Sequence, residues 1–131
     1  MEVTIRRLKK PKTMDLEGSL EWFCECLGLS KGRDIEKTSI KLLTCFLRHS
    51  RKENDISPEI IAKDMGMARS TIVHHLQRYE KAGLVVKTRK GYELRERTLE
   101  EVVREIERDV EKELERIREV ARKIDEMLMY R

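Results

Sequence analysis

The last quarter of the chain contains neither glycine nor proline, and its apolar residues recur at a spacing that suits one long helix. From Thr98 onward, Leu99, Val103, Ile106, Val110, Ile117, Val120, Ile124 and Met127 follow a 4-3 repeat in which Glu113 is the one exception among nine positions. Thr98-Leu99-Glu100-Glu101 matches a capping box, in which hydroxyl and carboxylate satisfy the first free amides. A helix of this length spans about 50 Å at 1.5 Å per residue. Such a helix, amphipathic and alone, is not stable in water, so its stripe needs a cover. A second copy can supply one, as a dimer seam. The alternative is packing within the chain on an N-terminal helix around Trp22 and Phe23. The helix outruns what one small domain can cover, which favours the dimer. The pattern leaves parallel and antiparallel pairing equally open.

At 131 residues the chain has room for one small core and its appendages, and not for a catalytic domain with a large pocket. Charged residues make up 41% and aromatic residues 5%, so the core must come from Leu, Ile, Val and Met. A charge load this high also suits a thermophilic source. The charge is divided unevenly. Residues 1–97 hold 21 Lys/Arg against 14 Asp/Glu, a net +7, whereas residues 98–131 hold 8 against 11, a net −3. That division points to a polyanionic partner for the body and a protein partner for the tail.

Three segments follow: a basic arm and helix over 1–33, a central domain over 34–97, and the long helix over 98–131. The arm carries Arg6, Arg7, Lys9, Lys10 and Lys12, and Pro11 argues against a helix through it. It reads equally as a DNA-seeking arm or a disordered basic end. Asp15 is placed to cap a helix to about Leu27, with Leu16, Leu20, Phe23 and Leu27 on one stripe and Gly28 as its stop. Leu29–Arg33 reads as a linker. The next helix is expected from Asp34, its cap, to about Ser50, with Glu36 in the first turn and Ile35, Ile40, Leu43 and Leu47 inward. Ser57-Pro58 is an N-cap followed by proline at the first helical position, and the short helix it opens ends at Gly66.

After that turn, a helix over about 68–82 buries Ile72, Leu76 and Tyr79. Gly83 stops it, and two short strands over 84–88 and 91–94 flank Arg89-Lys90-Gly91. There Gly91 is expected to supply the positive φ of a tight hairpin turn. The order helix, glycine turn, helix, glycine, hairpin suits a helix that projects into the DNA major groove, whose width admits one α-helix. Arg69, Ser70, Val73, His74, Gln77 and Arg78 lie outward on that helix, with groups suited to base edges and phosphates. His75 lies nearer the packed side. Lys87, Arg89 and Lys90 put three cations at or near the hairpin tip, where they can meet backbone or minor groove.

Residues 65–76 (MGMARSTIVHHL) with 80–86 (EKAGLVV) resemble the recognition helix and the start of the wing in ArsR/MarR/TrmB-type winged helix-turn-helix regulators of bacteria and archaea. The resemblance covers roughly residues 35–95. It implies a mainly α fold with a small β-hairpin, a winged helix-turn-helix flanked by an N-terminal helix and a long C-terminal dimerisation helix. It further implies operator binding by a homodimer, with Arg69, Ser70, Thr71, His74 and Arg78 at the recognition positions. Ala68 departs from the pattern, since the family has a serine cap there, and the missing cap costs roughly 1 kcal/mol. The competing reading is a winged-helix protein-interaction module of a transcription or other assembly, without specific DNA binding.

Cys24, Cys26, Cys45 and His49 raise the question of a metal. Residues two apart on a helix point to different sides, so Cys24 and Cys26 cannot share an ion without unwinding. Cys45 and His49, four apart, can share one. The thiols are nonetheless expected to serve as small buried hydrophobes, and no metal or other cofactor is expected. No nucleophile–base pairing and no phosphate-cradling glycine loop is present, so enzyme activity is not expected. Three cysteines are too few for a disulfide framework, no apolar run approaches a membrane span, and the basic N-terminus lacks the apolar stretch of a signal peptide. The expected location is the reducing cytoplasm, without a membrane partner.

Overall fold

A computed structural model describes residues 2–11, 14–29 and 37–129 of the chain. The fold is mainly helical, with one small antiparallel hairpin and a long C-terminal helix. The expected Asp34 cap, Ile35, Glu36, the linker residues 30–33 and Lys12 lie outside the described residues.

Helix α1 (Leu16–Cys26) starts where a carboxylate can serve it: Asp15 accepts from the Gly18 amide at 2.8 Å. Its buried residues are Leu20 and Cys24, with Phe23 and Leu27 packed beside them, while Leu16 faces out. Three of the four residues expected on this stripe pack inward, Leu16 in the first turn does not, and Cys24 joins the buried side. Helix α2 (Thr38–Ser50) buries Ser39, Ile40, Leu42, Leu43 and Phe46 and forms the middle of the core. Its polar Ser39 is satisfied by Tyr79: the Ser39 hydroxyl meets the Tyr79 hydroxyl at 3.1 Å, and the latter donates to the Ser39 backbone carbonyl at 2.6 Å.

Helix α3 (Pro58–Met65) has the Ser57 cap, which accepts from the Ile60 amide at 3.3 Å. It ends at Gly66, whose φ of 64° is the left-handed conformation a helix stop needs. Met67 and Ala68 lead into α4 (Arg69–Lys81), in which Ile72, Leu76 and Tyr79 are fully buried. Ala68 gives α4 no side-chain cap. Along the chain α1 packs on α2, α2 on α3, α3 on α4, and α4 on the first strand.

Strands β1 (Val85–Lys87) and β2 (Tyr92–Leu94) pair antiparallel, with Val85 opposite Leu94 and Lys87 opposite Tyr92. Ile56 adds a bridge on the far edge: its amide donates to the Tyr92 carbonyl at 2.7 Å, and the Tyr92 amide donates back at 2.9 Å. This bridge corrects the reading of Gly91, which is not among the positive-φ glycines. A Cβ there would lie 2.0 Å from the Ile56 carbonyl oxygen and 2.9 Å from the Ser57 Cα. The position needs glycine because backbone meets backbone. Gly91→Ala is therefore expected to part the bridge and cost about 3 kcal/mol. Gly66→Ala meets no atom within 4 Å and costs only the left-handed conformation, roughly 1 kcal/mol. Thermal unfolding of the two variants, with Gly91→Ala melting well below Gly66→Ala, checks the ranking.

Helix α5 (Leu99–Met129) begins with Thr98 accepting from the Glu101 amide at 3.1 Å. Its first turns belong to the chain's own core, where Val102 and Ile106 are buried and Val110 packs against them. Arg95 and Asp109, both largely covered, form an ion pair of 2.7 Å that fastens this part of the helix to the segment after β2. From Glu111 to Met129 every residue is exposed. Ile106 is thus unavailable to a partner; Val103 is exposed beside it, and the rest of the open stripe lies further along. Trp22 is half-buried, and its indole N–H donates to the Lys9 carbonyl at 2.8 Å. Among the described residues no helix is long and apolar enough to cross a membrane.

Candidate nucleic-acid interface

Burial of Ile72, Leu76 and Tyr79 fixes which face of α4 looks outward. Ser70, His74, Gln77 and Lys81 stand there at 4-3-4 spacing, all exposed, and form one polar stripe along the helix. Arg69 is exposed at its first turn, and Thr71 and Val73 are half-covered at the edges. Lys81 continues the stripe and is absent from the sequence-derived set. The same 4-3-4 spacing, carried one step past Gln77, would have found it.

Two of the arginines have partners within the chain. Arg69 Nε donates to the Glu59 carboxylate across the α3–α4 junction. That hydrogen bond from Arg69 holds the Glu59 carboxyl below its ordinary range. Both side chains are well exposed, so the pair contributes little to stability and is free to exchange for an outside anion. Arg78 is different. Its Nη2 donates to the carbonyls of Gly28 at 3.3 Å and Leu29 at 2.8 Å, the free end of α1. It therefore clamps the N-terminal segment against α4, and its partners are carbonyls rather than a carboxylate. His75 is half-buried, as expected, and its ring stands edge-on to that of His74 with centroids 5.9 Å apart.

The hairpin presents Lys87, Arg89 and Lys90, all exposed. What holds its tip is Asp55, in the segment between α2 and α3. The Asp55 carboxylate accepts from the Lys90 amide at 3.1 Å and from the Thr88 hydroxyl. The Thr88 oxygen in turn accepts from the Gly91 amide at 3.1 Å. The turn is thus pinned at its backbone while the Arg89 and Lys90 side chains point to solvent. No short-range sequence signal marks Asp55, because its partners lie 33 and 35 residues away.

The basic arm is also held. The Glu2 amide donates to the carbonyl of Lys81 at 3.0 Å, and the Arg6 amide to that of Cys26 at 2.7 Å. Arg6, Arg7, Lys9 and Lys10 remain exposed on a backbone that starts beside the end of α4. Residues 2–11 form neither helix nor strand, and these two bonds tie them to the body of the chain, unlike the disordered end that is one reading of this arm.

The cysteines divide. Cys24 is buried in the core, and Cys26 and Cys45 are half-buried. Burial first, then the neighbouring Glu25, raises the Cys26 thiol pKa; burial first, then the Asp64 carboxylate, raises that of Cys45. Cys45 and His49 on α2 and Asp64 on α3 bring a sulfur, a ring nitrogen and a carboxylate oxygen within 4.8 Å of one another. Compared with protein-family models, with curated proteins and with solved structures, the chain finds no match.

Proposed function

We propose that this chain is a winged helix-turn-helix regulator that binds double-stranded DNA as a homodimer in the reducing cytoplasm. In this reading α3 and α4 are the helix-turn-helix pair, α4 enters the major groove, and the hairpin is a wing on the backbone or minor groove. The observation that carries it is the α4 stripe of Ser70, His74, Gln77 and Lys81, held outward by a fully buried opposite face. Beside it stand the exposed cations of a hairpin whose turn is pinned by Asp55. Base edges require donors and acceptors on a rigid helix, and phosphates require cations that have little else to touch. Arg69 serves once it leaves Glu59. Arg78 has the supporting task of holding the N-terminal segment beside α4. The tail beyond Val110, which carries an open apolar stripe, pairs two copies and so sets the distance between two recognition helices.

The experiment is a selection of genomic DNA fragments by the full-length protein at near-physiological salt, read by sequencing. A two-fold symmetric motif with half-sites about one helical turn or more apart is the expected result. Recovery of no DNA above background would sink the reading and bring forward a protein-interaction module. Recovery without a motif would reduce it to non-specific DNA binding.

A further inference from the structure

A cleft of about 590 Å³ lies between the start of α1, the outer face of α2 and the end of α3. On its wall stand Cys45 and His49, one turn apart on α2, and Asp64, one residue before the end of α3. Their ligand atoms lie within 4.8 Å of one another. Around a tetrahedral zinc ion, with bonds of about 2.0–2.3 Å, such atoms stand roughly 3.3–3.6 Å apart. Closing that difference takes side-chain movement of about an ångström, and Asp64 is exposed enough to rotate. His49 Nε2 already meets Asp64, and its Nδ1 faces Glu53 at 3.5 Å. A carboxylate behind the ring is the usual means of orienting a metal-bound imidazole.

We propose that Cys45, His49 and Asp64 bind one borderline divalent transition metal of the zinc class, through Sγ, Nε2 and a carboxylate oxygen. The ligand set decides the class: sulfur and imidazole favour zinc-like ions over magnesium or calcium, which take oxygen ligands. A thiolate and a carboxylate neutralise the ion's two charges, so Lys37, Lys41 and Arg48, which also line the cleft, face a site without net charge. The fourth position opens on the cleft, leaving room for water or a small anion. Because α2 and α3 share the ion, binding ties them together just ahead of the Gly66 turn into α4. The inference stands apart from the DNA-binding reading.

Cobalt(II) is the probe, titrated into the reduced full-length chain. The expected result is one cobalt per chain, with a thiolate-to-cobalt charge-transfer band and tetrahedral ligand-field bands, both removed by one equivalent of zinc. Cys45→Ser should abolish the charge-transfer band, while Cys24→Ser and Cys26→Ser leave it intact. His49→Gln and Asp64→Asn should each weaken binding at least tenfold. Zinc should raise the melting temperature of the parent and leave that of Cys45→Ser unchanged. Far-ultraviolet circular dichroism shows that each variant is folded; should Cys45→Ser not fold, the exposed Asp64→Asn carries the test. A parent without a thiolate band, a band that survives Cys45→Ser, or full affinity in Asp64→Asn would overturn the proposal.

Discussion

Ile117→Glu combined with Ile124→Glu is expected to convert the protein from dimer to monomer while leaving the 2–110 body folded. Both isoleucines are on the open part of α5, 62% and 48% exposed in the single chain, in company with Leu114, Val120, Met127 and Leu128. Burying an aliphatic side chain of this size is worth about 2 kcal/mol. In a two-fold pair each substitution counts twice, so the double variant removes about 8 kcal/mol before the cost of bringing four carboxylates together. A dissociation constant in the nanomolar range would rise by more than five orders of magnitude. Light scattering coupled to size-exclusion chromatography at micromolar concentration reads the change directly. Helicity should fall with it, because the exposed half of α5 then has only local support. Its ion pairs, among them Arg116–Glu113 and Lys123–Glu119, are worth a few tenths of a kcal/mol each. A parent protein that is already monomeric at tens of micromolar would sink the dimer reading without any variant.

The stripe itself was legible in the sequence, since a 4-3 repeat survives any change of context. What faces it was not. Ile106 fits the seam by spacing, yet it is buried in the chain's own core together with Val102, a residue outside the repeat. Apolar spacing records that a face is covered and is silent on whether the cover is the same chain or another. Only the folded path, with Arg95 paired to Asp109, shows where one task ends. Local signals fared well for the same reason: Asp15, Ser57, Gly66 and Thr98 act on amides or dihedrals within a few residues of themselves. That α1 also buries Cys24 and leaves Leu16 exposed depends on how α1 meets α2, which its own composition does not fix.

Long-range pairings were illegible. Gly91 was readable as a required glycine, but its reason lies in the backbone of Ile56, which the chain brings beside Tyr92 as a one-residue bridge. Asp55 on the hairpin tip and Arg78 on the α1 carbonyls are likewise joined to partners at least 33 residues distant. In the candidate interface this matters by residue. His74, Gln77, Lys87, Arg89 and Lys90 stand exposed where their positions suggested, whereas Arg69 is paired with Glu59 and Arg78 is turned inward. The outward helix face could be read from periodicity, and the engagement of its long side chains could not.

Arg89→Ala combined with Lys90→Ala is expected to weaken binding to every DNA sequence by a similar factor and to flatten the salt dependence. Each phosphate contact contributes about 0.9 to the slope of log affinity against log salt, so losing two should lower that slope by about 1.8. The folded state should be untouched. Both side chains are exposed, and what ties the hairpin tip to Asp55 is the Lys90 backbone amide and the Thr88 hydroxyl, which the substitutions leave in place. His74→Ala and Gln77→Ala should behave differently. A base contact is worth about 1–3 kcal/mol at its own position, so either variant should relax preference at one or two base pairs and leave the salt slope nearly as it was. Fluorescence anisotropy with a specific and a scrambled duplex, each over a range of salt, separates the two effects. The contrast between hairpin and helix is the critical outcome. If the hairpin variant changed sequence preference and the helix variants changed only the slope, the two elements would have exchanged roles. If neither altered binding, the DNA would have to be held elsewhere, and the exposed arm of Arg6, Arg7, Lys9 and Lys10 would be the next place to substitute.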